Sequence, residues 1–279
     1  MTARLLDLDP DAYHMHPGFS ASCAKTLIKQ SALHAWQGHP AFGGIAKTPT
    51  KEMELGDVIH AIILGKGKTI RIVDHDDWRT NAAKDERKQA YDDGVVPILT
   101  KAHEEATFAA MAIMRQLAER GIKLDGDSEQ AMEWHEDSPS GPVLCRGMMD
   151  HLSRDRLTIT DLKTTHDASF RAVEKQAEEF GHAIQWAAYM SGHAKVFPDL
   201  EGHVSMRFIF AEPHRPYAIN VLEPDGLFRE LGQRRWARAV AKWGQCLKDK
   251  RWPAYESNGN RLSAPGWALA REEQLDEDS

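Results

Sequence analysis

The sequence has little cysteine and no long apolar run. Its 279 residues include three cysteines, Cys23, Cys145 and Cys246, which lie far apart and form no C-x-x-C pair. This spacing argues against a disulfide framework and a cysteine-based zinc site, and it fits a reducing compartment. No apolar stretch is long enough to cross a membrane, and the chain does not begin with a charged and then apolar leader. We therefore expect a cytoplasmic protein without a membrane partner.

Two familiar motifs are incomplete. Residues 67–69 (GKT) resemble the end of a P-loop, but Ile62 stands where that motif needs its first glycine. His103 and Glu104 resemble the start of a zinc-protease helix motif, but no second histidine follows four positions after the first. We therefore expect neither a P-loop ATPase nor a protease of that zinc class.

No Gly/Ser-rich linker, Pro-rich stretch, composition shift or internal repeat divides the chain. With 42% hydrophobic residues it can bury one sizeable core, so we predict a single domain over residues 1–262. Within this domain, 1–50 would form an N-terminal helical arm and 51–262 the core. Residues 263–279 end in the acidic run REEQLDEDS, which predicts a flexible tail.

The formal net charge of −7 is a caution against a nucleic-acid partner, since DNA-binding proteins usually present excess positive charge. Part of the negative charge lies in the acidic tail, and carboxylates around a metal ion would be neutralised by that ion. Basic residues cluster in 229–238 (RELGQRRWAR) and 248–251 (KDKR). The charge balance therefore does not exclude a nucleic-acid partner.

Hydrophobic periodicity changes along the chain from helical to strand-like and back. Helices are predicted for 24–36, 51–64, 100–120, 174–193 and 227–250, and a charged helix or loop for 76–93. Strands are predicted for 131–136, 143–152, 156–163, 203–211 and 217–222. The second and third of these strands flank a three-residue turn and should form a hairpin. This order predicts an α/β fold with a mixed central β-sheet flanked by helices.

The hairpin carries the candidate catalytic and metal-binding residues. Side chains alternate along a strand, so Asp161 and Lys163 share one face of its second strand. Pairing across the tight turn can bring Asp150 from the first strand onto the same face. Two carboxylates held so close repel each other unless a cation lies between them. An apolar run, LTIT, leads directly into Asp161, whereas the similar charged run 86–88 (ERK) has no strand pattern around it.

Hard oxygen ligands with spare coordination positions suit Mg²⁺ or Mn²⁺, which keep waters and accept phosphate oxygens. Asp150 and Asp161 would be such ligands, and the backbone carbonyl of Leu162 could supply another. The ammonium of Lys163 would lie beside the cation, where it can orient an attacking water or neutralise charge developing on phosphorus. From these residues alone an alternative stays open, because an Asp–Lys ion pair at a strand end is also an ordinary structural feature.

The segment CRGMMDHLSRDRLTITDLKTT resembles the core of the PD-(D/E)XK nuclease superfamily, which has the restriction-endonuclease-like fold. It is most similar to the RecB-like branch and, within it, to the nuclease domain of the exonuclease VIII (RecE) family. Members of that family have an Arg-Gly-x-x-Asp segment, a turn, and an apolar run that leads into Asp-x-Lys-Thr. This sequence supplies Arg146, Gly147, Asp150, Asp161, Lys163 and Thr164 at those positions. Met149 replaces the proline before the first aspartate, at a position that varies in the superfamily.

The resemblance spans residues 11–256 and assigns roles to residues outside the hairpin. His60 matches an upstream helix histidine that contributes to the metal site. Glu129 matches an acidic residue just before the first core strand and is a further metal-ligand candidate. Gln185 and Tyr189 match a Q-x-x-x-Y helix, whose two side chains share one helix face and could meet the lysine or the DNA backbone.

The resemblance also implies DNA contacts from Arg146 and Thr164, together with Gln185 and Tyr189, although Arg146 could equally pair with a carboxylate of the sheet. It implies Mg²⁺- or Mn²⁺-dependent hydrolysis of phosphodiester bonds at the ends of double-stranded DNA, as in phage and prophage recombination. A homo-oligomer and a single-strand annealing recombinase as partner are further implications. The lack of a four-cysteine set argues against the iron–sulfur-containing branch.

Two alternatives to this function stay open. The first is an endonuclease, or a nuclease of other polarity, from the same superfamily. The second is a non-catalytic DNA-binding protein that retains the fold. The presence of Asp150, Asp161 and Lys163 together weighs against the second alternative, since a structural role does not require all three.

Overall fold

A mixed sheet forms the centre of the molecule. The computed structural model describes residues 3–8, 10–42, 44, 50–255 and 263–277. Its strands are β1 (Arg4–Leu6), β2 (Ile70–Val73), β3 (Val96–Leu99), β4 (Asp127–Glu136), β5 (Val143–Leu152), β6 (Thr158–Thr164), β7 (Ser205–Ala211) and β8 (Ile219–Leu222). Six of them form one sheet in the order β1-β4-β5-β6-β7-β8. The β6–β7 pair is parallel and the other neighbours are antiparallel, which confirms the predicted α/β class with a mixed sheet.

Helices cover both faces of this sheet. They are α1 (Pro10–Met15), α2 (Ala21–Lys29), α3 (Ala32–Gln37), α4 (Lys51–Leu64), α5 (Asn81–Asp92), α6 (Thr100–Glu119), α7 (Phe170–Phe180), α8 (His182–Val196), α9 (Gly226–Asp249) and α10 (Gly266–Glu277). At the start of α4, the hydroxyl of Thr50 accepts a hydrogen bond from the Met53 N–H. At its end, Gly65 takes a left-handed conformation with φ 64°, so α4 ends where the sequence predicts.

Two predicted helices are each interrupted in the structure. Residues 24–36 fall into α2 and α3, because Ser31 is extended and its hydroxyl caps α3 by accepting from the His34 N–H. Residues 174–193 fall into α7 and α8, because Gly181 takes a left-handed φ of 64°. The apolar period continues across each break since both halves pack on the same side of the sheet.

A small second sheet was not predicted. It pairs β2 with β3 in parallel, and α5 forms the crossover between them. Both strands have only four residues, IRIV and VPIL. Apolar runs this short do not distinguish a strand from a loop by periodicity alone.

Two apolar layers enclose the main sheet. One layer lies under α2, α3, α8 and α9, and includes Phe19, Trp134, Met149, Ile159, Phe210 and Trp243. The other lies under α4 and α6, and includes Ile59, Ile113, Leu162 and Ile209. Successive residues of β6 therefore point into opposite layers. All three cysteines are free and buried, as their spacing predicts.

The C-terminal region carries an exposed helix. Residues 266–277 form α10, in which Trp267 is 72% exposed. The flexibility predicted for 263–279 stays a prediction. The proposed boundary at residue 262 lies outside the described residues and stays a prediction. None of the helices in the described part of the chain combines the length and apolar character that a membrane crossing needs.

The close approach of α8 and α9 predicts a stability effect at Gly232. A Cβ at this position would lie 2.2 Å from the Ala183 carbonyl oxygen, which is main chain and cannot rotate away. We expect Gly232→Ala to lower the free energy of unfolding by about 1–3 kcal/mol, despite the better helix propensity of alanine. The measurement is urea unfolding followed by tryptophan fluorescence.

Gly226→Ala is the matched control, because Gly226 begins the same helix and a Cβ there meets no atom within 4 Å. Equal unfolding midpoints for the two variants would contradict this account of the α8–α9 contact.

Candidate active site

The hairpin strands separate at the point where the acidic residues stand. Ladder pairs between β5 and β6 are His151 with Thr160 and Leu152 with Ile159, and the pairing ends there. Further along, the Leu162 N–H donates to Asp150 Oδ2 at 2.8 Å. In a strand the N–H and C=O of one residue point to the same side, so the Leu162 carbonyl faces the same gap. A side-chain carboxylate thus occupies a place where the neighbouring strand would otherwise pair.

Asp161 is fully buried beneath this gap, with 0% exposure. Its Oδ1 accepts a hydrogen bond from Gln185 Nε2, and its Oδ2 forms an ion pair with Lys163 Nζ. Burial and the nearby charge of Asp150 raise the pKa of Asp161 to about 6, against the opposing effect of Lys163. The charge of Asp150 contributes to this shift, so the two carboxylates lie within electrostatic reach of each other.

His60 reaches the gap from α4 on the other face of the sheet. Its Nε2 lies 3.0 Å from Asp150 Oδ2, and its Nδ1 lies 3.1 Å from Glu129 Oε1. Burial alone would lower the pKa of His60, but the charges and hydrogen bonds of the two carboxylates raise it to about 10. Burial would likewise raise the pKa of Asp150, yet His60 and Lys163 outweigh burial and lower it. With this pKa, His60 is an imidazolium between two carboxylates at neutral pH.

Glu129 adopts an unusual backbone conformation inside β4. Its φ is 51°, in the left-handed region that non-glycine residues rarely occupy. The β4–β5 register runs from Ser128 with His151 to Gln130 with Met149, and the expected pair of Glu129 with Asp150 is missing. The local distortion directs the Glu129 carboxylate to His60. Strain of this kind is typical of functional sites.

Lys163 lines a cavity between β6 and α4. The cavity has a volume of about 230 Å³ and is lined by Met53, Gly56, Asp57, His60, Leu162, Lys163 and Thr164. Burial would lower the pKa of Lys163, but Asp161 and Asp150 raise it, so its side chain is an ammonium at neutral pH. Thr164 packs on Gly56, where an added Cβ would lie 2.9 Å from the threonine Oγ1. Because Gly56 has no side chain, α4 can approach β6, the strand that carries Lys163.

The two residues of the Q-x-x-x-Y helix do different things. Gln185 contacts Asp161 rather than the lysine. The Tyr189 hydroxyl donates to the Met148 carbonyl at 2.6 Å, and its ring lies over Gly147. Burial raises the pKa of Tyr189 well above its usual value, so it stays a neutral phenol. Tyr189 thus anchors α8 to β5, and its hydroxyl donates its hydrogen bond to a main-chain carbonyl of the protein.

Arg146 is buried, with only 4% exposure. Its Nε donates to the Gly18 carbonyl at 3.1 Å, its Nη1 donates to the Tyr13 carbonyl, and its guanidinium lies 4.5 Å from the centre of the Tyr13 ring. This placement speaks against the predicted DNA contact, and no carboxylate pairing of Arg146 is seen within the described residues. Arg146 instead ties the N-terminal segment to β5.

The sequence matches a known family. Residues 22–261 match the family described as PDDEXK-like domain of unknown function (DUF3799). The chain belongs to this PDDEXK-like family. No curated protein matches the sequence.

Two solved structures resemble this PDDEXK-like chain. A candidate exonuclease from Eubacterium rectale superposes with a TM-score of 0.62 at 12% identity, covering 93% of this chain and 96% of that chain. A phage-related exonuclease from Haemophilus somnus 129PT has a TM-score of 0.37 at 13% identity, covering 85% and 97% respectively. At these identities the first likeness shows the shared fold alone, and the lower score of the second carries no argument.

The donor set of this PDDEXK-like site fits a divalent metal ion. The carboxylates of Asp150 and Glu129 contact the His60 imidazole, and Asp161 lies within electrostatic reach of Asp150. Oxygen-rich sets of this kind suit hard cations. Within the described residues, no three histidine, cysteine, aspartate or glutamate side chains are already arranged to coordinate one metal ion.

Sequence reasoning missed two residues close to this site. Lys25 on α2 and His182 at the start of α8 both sense the charge of Lys163. Burial, aided by the two lysines, lowers the pKa of His182 to about 2, so this histidine is neutral among phenylalanine rings. Neither residue belongs to a motif, and the one signal was a lysine at the border of the apolar face of α2.

The burial of Arg146 predicts a structural rather than a DNA-binding phenotype. We expect Arg146→Ala to lower the free energy of unfolding by about 2–4 kcal/mol, because two main-chain carbonyls lose a charged donor. Arg154→Ala, in the exposed hairpin turn, is the control and should leave stability unchanged. Urea unfolding measures both. An unchanged unfolding midpoint combined with weaker DNA binding would show that Arg146 contacts DNA after all.

Proposed function

We propose that this protein is a Mg²⁺- or Mn²⁺-dependent deoxyribonuclease that digests double-stranded DNA from its ends. The observation that carries the proposal is the convergence of Asp150, Asp161 and Lys163 where β5 and β6 separate. Membership of the PDDEXK-like family supports it. The Eubacterium rectale protein of the same fold, described as a candidate exonuclease, supports digestion from ends.

Asp150, Asp161 and the Leu162 carbonyl would hold the cation, with His60 and Glu129 completing the site from α4 and β4. A divalent cation in such a site supplies Lewis-acid polarisation of the phosphate and a more acidic water nucleophile. The protein side chains are held in place before substrate arrives. Gln185 fixes one oxygen of Asp161, and the Leu162 N–H fixes one oxygen of Asp150.

Lys163 would act through its charge. Because its pKa is raised, it is a hydrogen-bond donor and a cation at neutral pH rather than a base. Its ammonium can donate to a phosphate oxygen and neutralise charge that develops during displacement at phosphorus. A DNA strand would reach the Lys163 ammonium through the cavity between β6 and α4. Thr164 lines the same cavity and is the candidate for a contact with the DNA backbone.

Further features of the proposal come from the sequence resemblance. They are a recombination role of the phage or prophage type, a homo-oligomer, and a single-strand annealing recombinase as partner. Continuous digestion from an end suits an oligomer that encloses DNA, since enclosure keeps the enzyme on its substrate.

The first test of this function is loss of cleavage in active-site variants. We expect Asp161→Asn and Lys163→Met to reduce digestion of linear duplex DNA about a hundredfold or more, because each removes charge that the displacement needs. Gel electrophoresis with Mg²⁺ or Mn²⁺ measures the rate. Lys88→Met is the control, since Lys88 is an exposed lysine of the charged run on α5 and should leave the rate unchanged.

Linear and circular duplexes distinguish the alternatives in the same assay. Digestion of linear DNA alone supports the exonuclease. Equal cleavage of circular DNA would assign an endonuclease instead. DNA binding without cleavage by the unaltered protein, with either ion, would assign a binding protein that retains the fold.

The second test uses the proton on His60. Its pKa of about 10 means that His60 is protonated near neutral pH, and a cation can bind the ring only after the proton leaves. We therefore expect each bound Mn²⁺ to release about one proton. Metal affinity should rise as the pH rises toward that pKa. Calorimetry in buffers of different protonation enthalpy measures the release.

His60→Ala should abolish the proton release. Asp161, with a pKa of about 6, is already ionised at neutral pH and adds little to it. Mn²⁺ binding with no proton release by the unaltered protein would remove His60 from the ligand set.

A further inference from the structure

Lys25 crosses the corner between α7 and α8. Its Cγ lies 3.1 Å and its Cδ 3.6 Å from the point where a Cβ on Gly181 would stand. Gly181 ends α7 with φ 64° and directly precedes α8. Because Gly181 has no side chain, the methylene groups of Lys25 can pack against the main chain between α7 and α8.

The corner leads to the candidate active site. Gln185 lies four residues beyond Gly181, one turn further along α8, and it holds Asp161. Burial, and then the charge of Lys163, lower the pKa of Lys25 to about 8, while Asp161 opposes the change. Lys25 in turn lowers the pKa of Asp161. The ammonium of Lys25 is therefore within electrostatic reach of both Asp161 and Lys163.

Lys25 has no anion of its own. Within the described part of the chain its ammonium makes no hydrogen bond or ion pair. Lys163 is paired with Asp161, and Lys29, one turn later on α2, donates to the Glu179 carbonyl. A partly buried cation beside a second cation is unfavourable unless an anion approaches.

The charge of the site indicates which anion fits. With a divalent cation bound and His60 neutral, the carboxylates of Asp150, Asp161 and Glu129 face two ammonium groups and the cation. This set carries one net positive charge. A phosphodiester carries one negative charge and has oxygens that accept from an ammonium.

We propose that Lys25 contacts a phosphodiester oxygen of the bound DNA strand, beside the phosphate on which Lys163 acts. This assignment rests on the proposed nuclease function and adds to it a strand-binding residue from α2. Lys25 is a binding residue that holds the strand equally in the ground state and the transition state. Its loss therefore raises KM and leaves kcat nearly unchanged.

The test compares Lys25→Met, Lys25→Arg and Lys29→Met. Lys29→Met is the matched control, because it removes the same charge one turn along the same helix, where the ammonium already has a main-chain partner. Fluorescence anisotropy with a labelled duplex, in Ca²⁺ and over a range of salt concentrations, measures binding separately from cleavage. Steady-state kinetics with Mn²⁺ measure KM and kcat, and thermal unfolding reports on the fold.

We expect Lys25→Met to weaken duplex binding about tenfold. We also expect it to reduce the salt dependence by about one released counterion. Lys25→Arg should retain binding, and Lys29→Met should match the unaltered protein. Two results would overturn the proposal: equal effects of Lys25→Met and Lys29→Met, or a fall in kcat with unchanged KM and unchanged duplex binding.

The binding titration also separates this proposal from the proposed function. If the unaltered protein binds the duplex but does not cleave it with Mg²⁺ or Mn²⁺, the nuclease function fails. The comparison of Lys25→Met with Lys29→Met still decides whether Lys25 contacts the strand.

Discussion

The hydrogen bond from the Leu162 N–H to the Asp150 carboxylate is the interaction on which the site depends. A main-chain donor in the middle of a sheet normally pairs with the neighbouring strand, and an unpaired one is costly. Here a side chain satisfies it, so β5 and β6 can separate without leaving a buried donor alone. The separation admits His60 from one face and leaves the Leu162 carbonyl directed into the same space.

Electrostatic balance holds the rest of the site together. Asp161 is completely buried, and a buried carboxylate is tolerated only when it is paired and hydrogen-bonded. Lys163 supplies the opposite charge and Gln185 the hydrogen bond. On the other side, protonated His60 links Asp150 to Glu129. These contacts hold Asp150, Asp161 and Glu129 in one network of charges and hydrogen bonds.

Packing on both faces of the sheet decides which residues can reach this place. The apolar layer under α8 and α9 brings Gln185 to Asp161, and the layer under α4 and α6 brings His60 to Asp150. Three glycines permit close approach: Gly56 beside Thr164, Gly147 under Tyr189 and Gly181 under Lys25. Each lacks the Cβ that would push a helix or side chain away from the site.

The sequence alone determined the features that depend on neighbours along the chain. Alternation in the hairpin and the apolar run before Asp161 predicted the strands and placed Asp161 and Lys163 on one face of the second strand, because these relations are local. Resemblance to a family added His60, Glu129 and Gln185, which the structure brings to the same gap. Only the tertiary structure showed that Arg146 is buried and that Lys25 approaches the site. Both depend on how the N-terminal segment and α2 pack against distant strands and helices, and no local period records such packing.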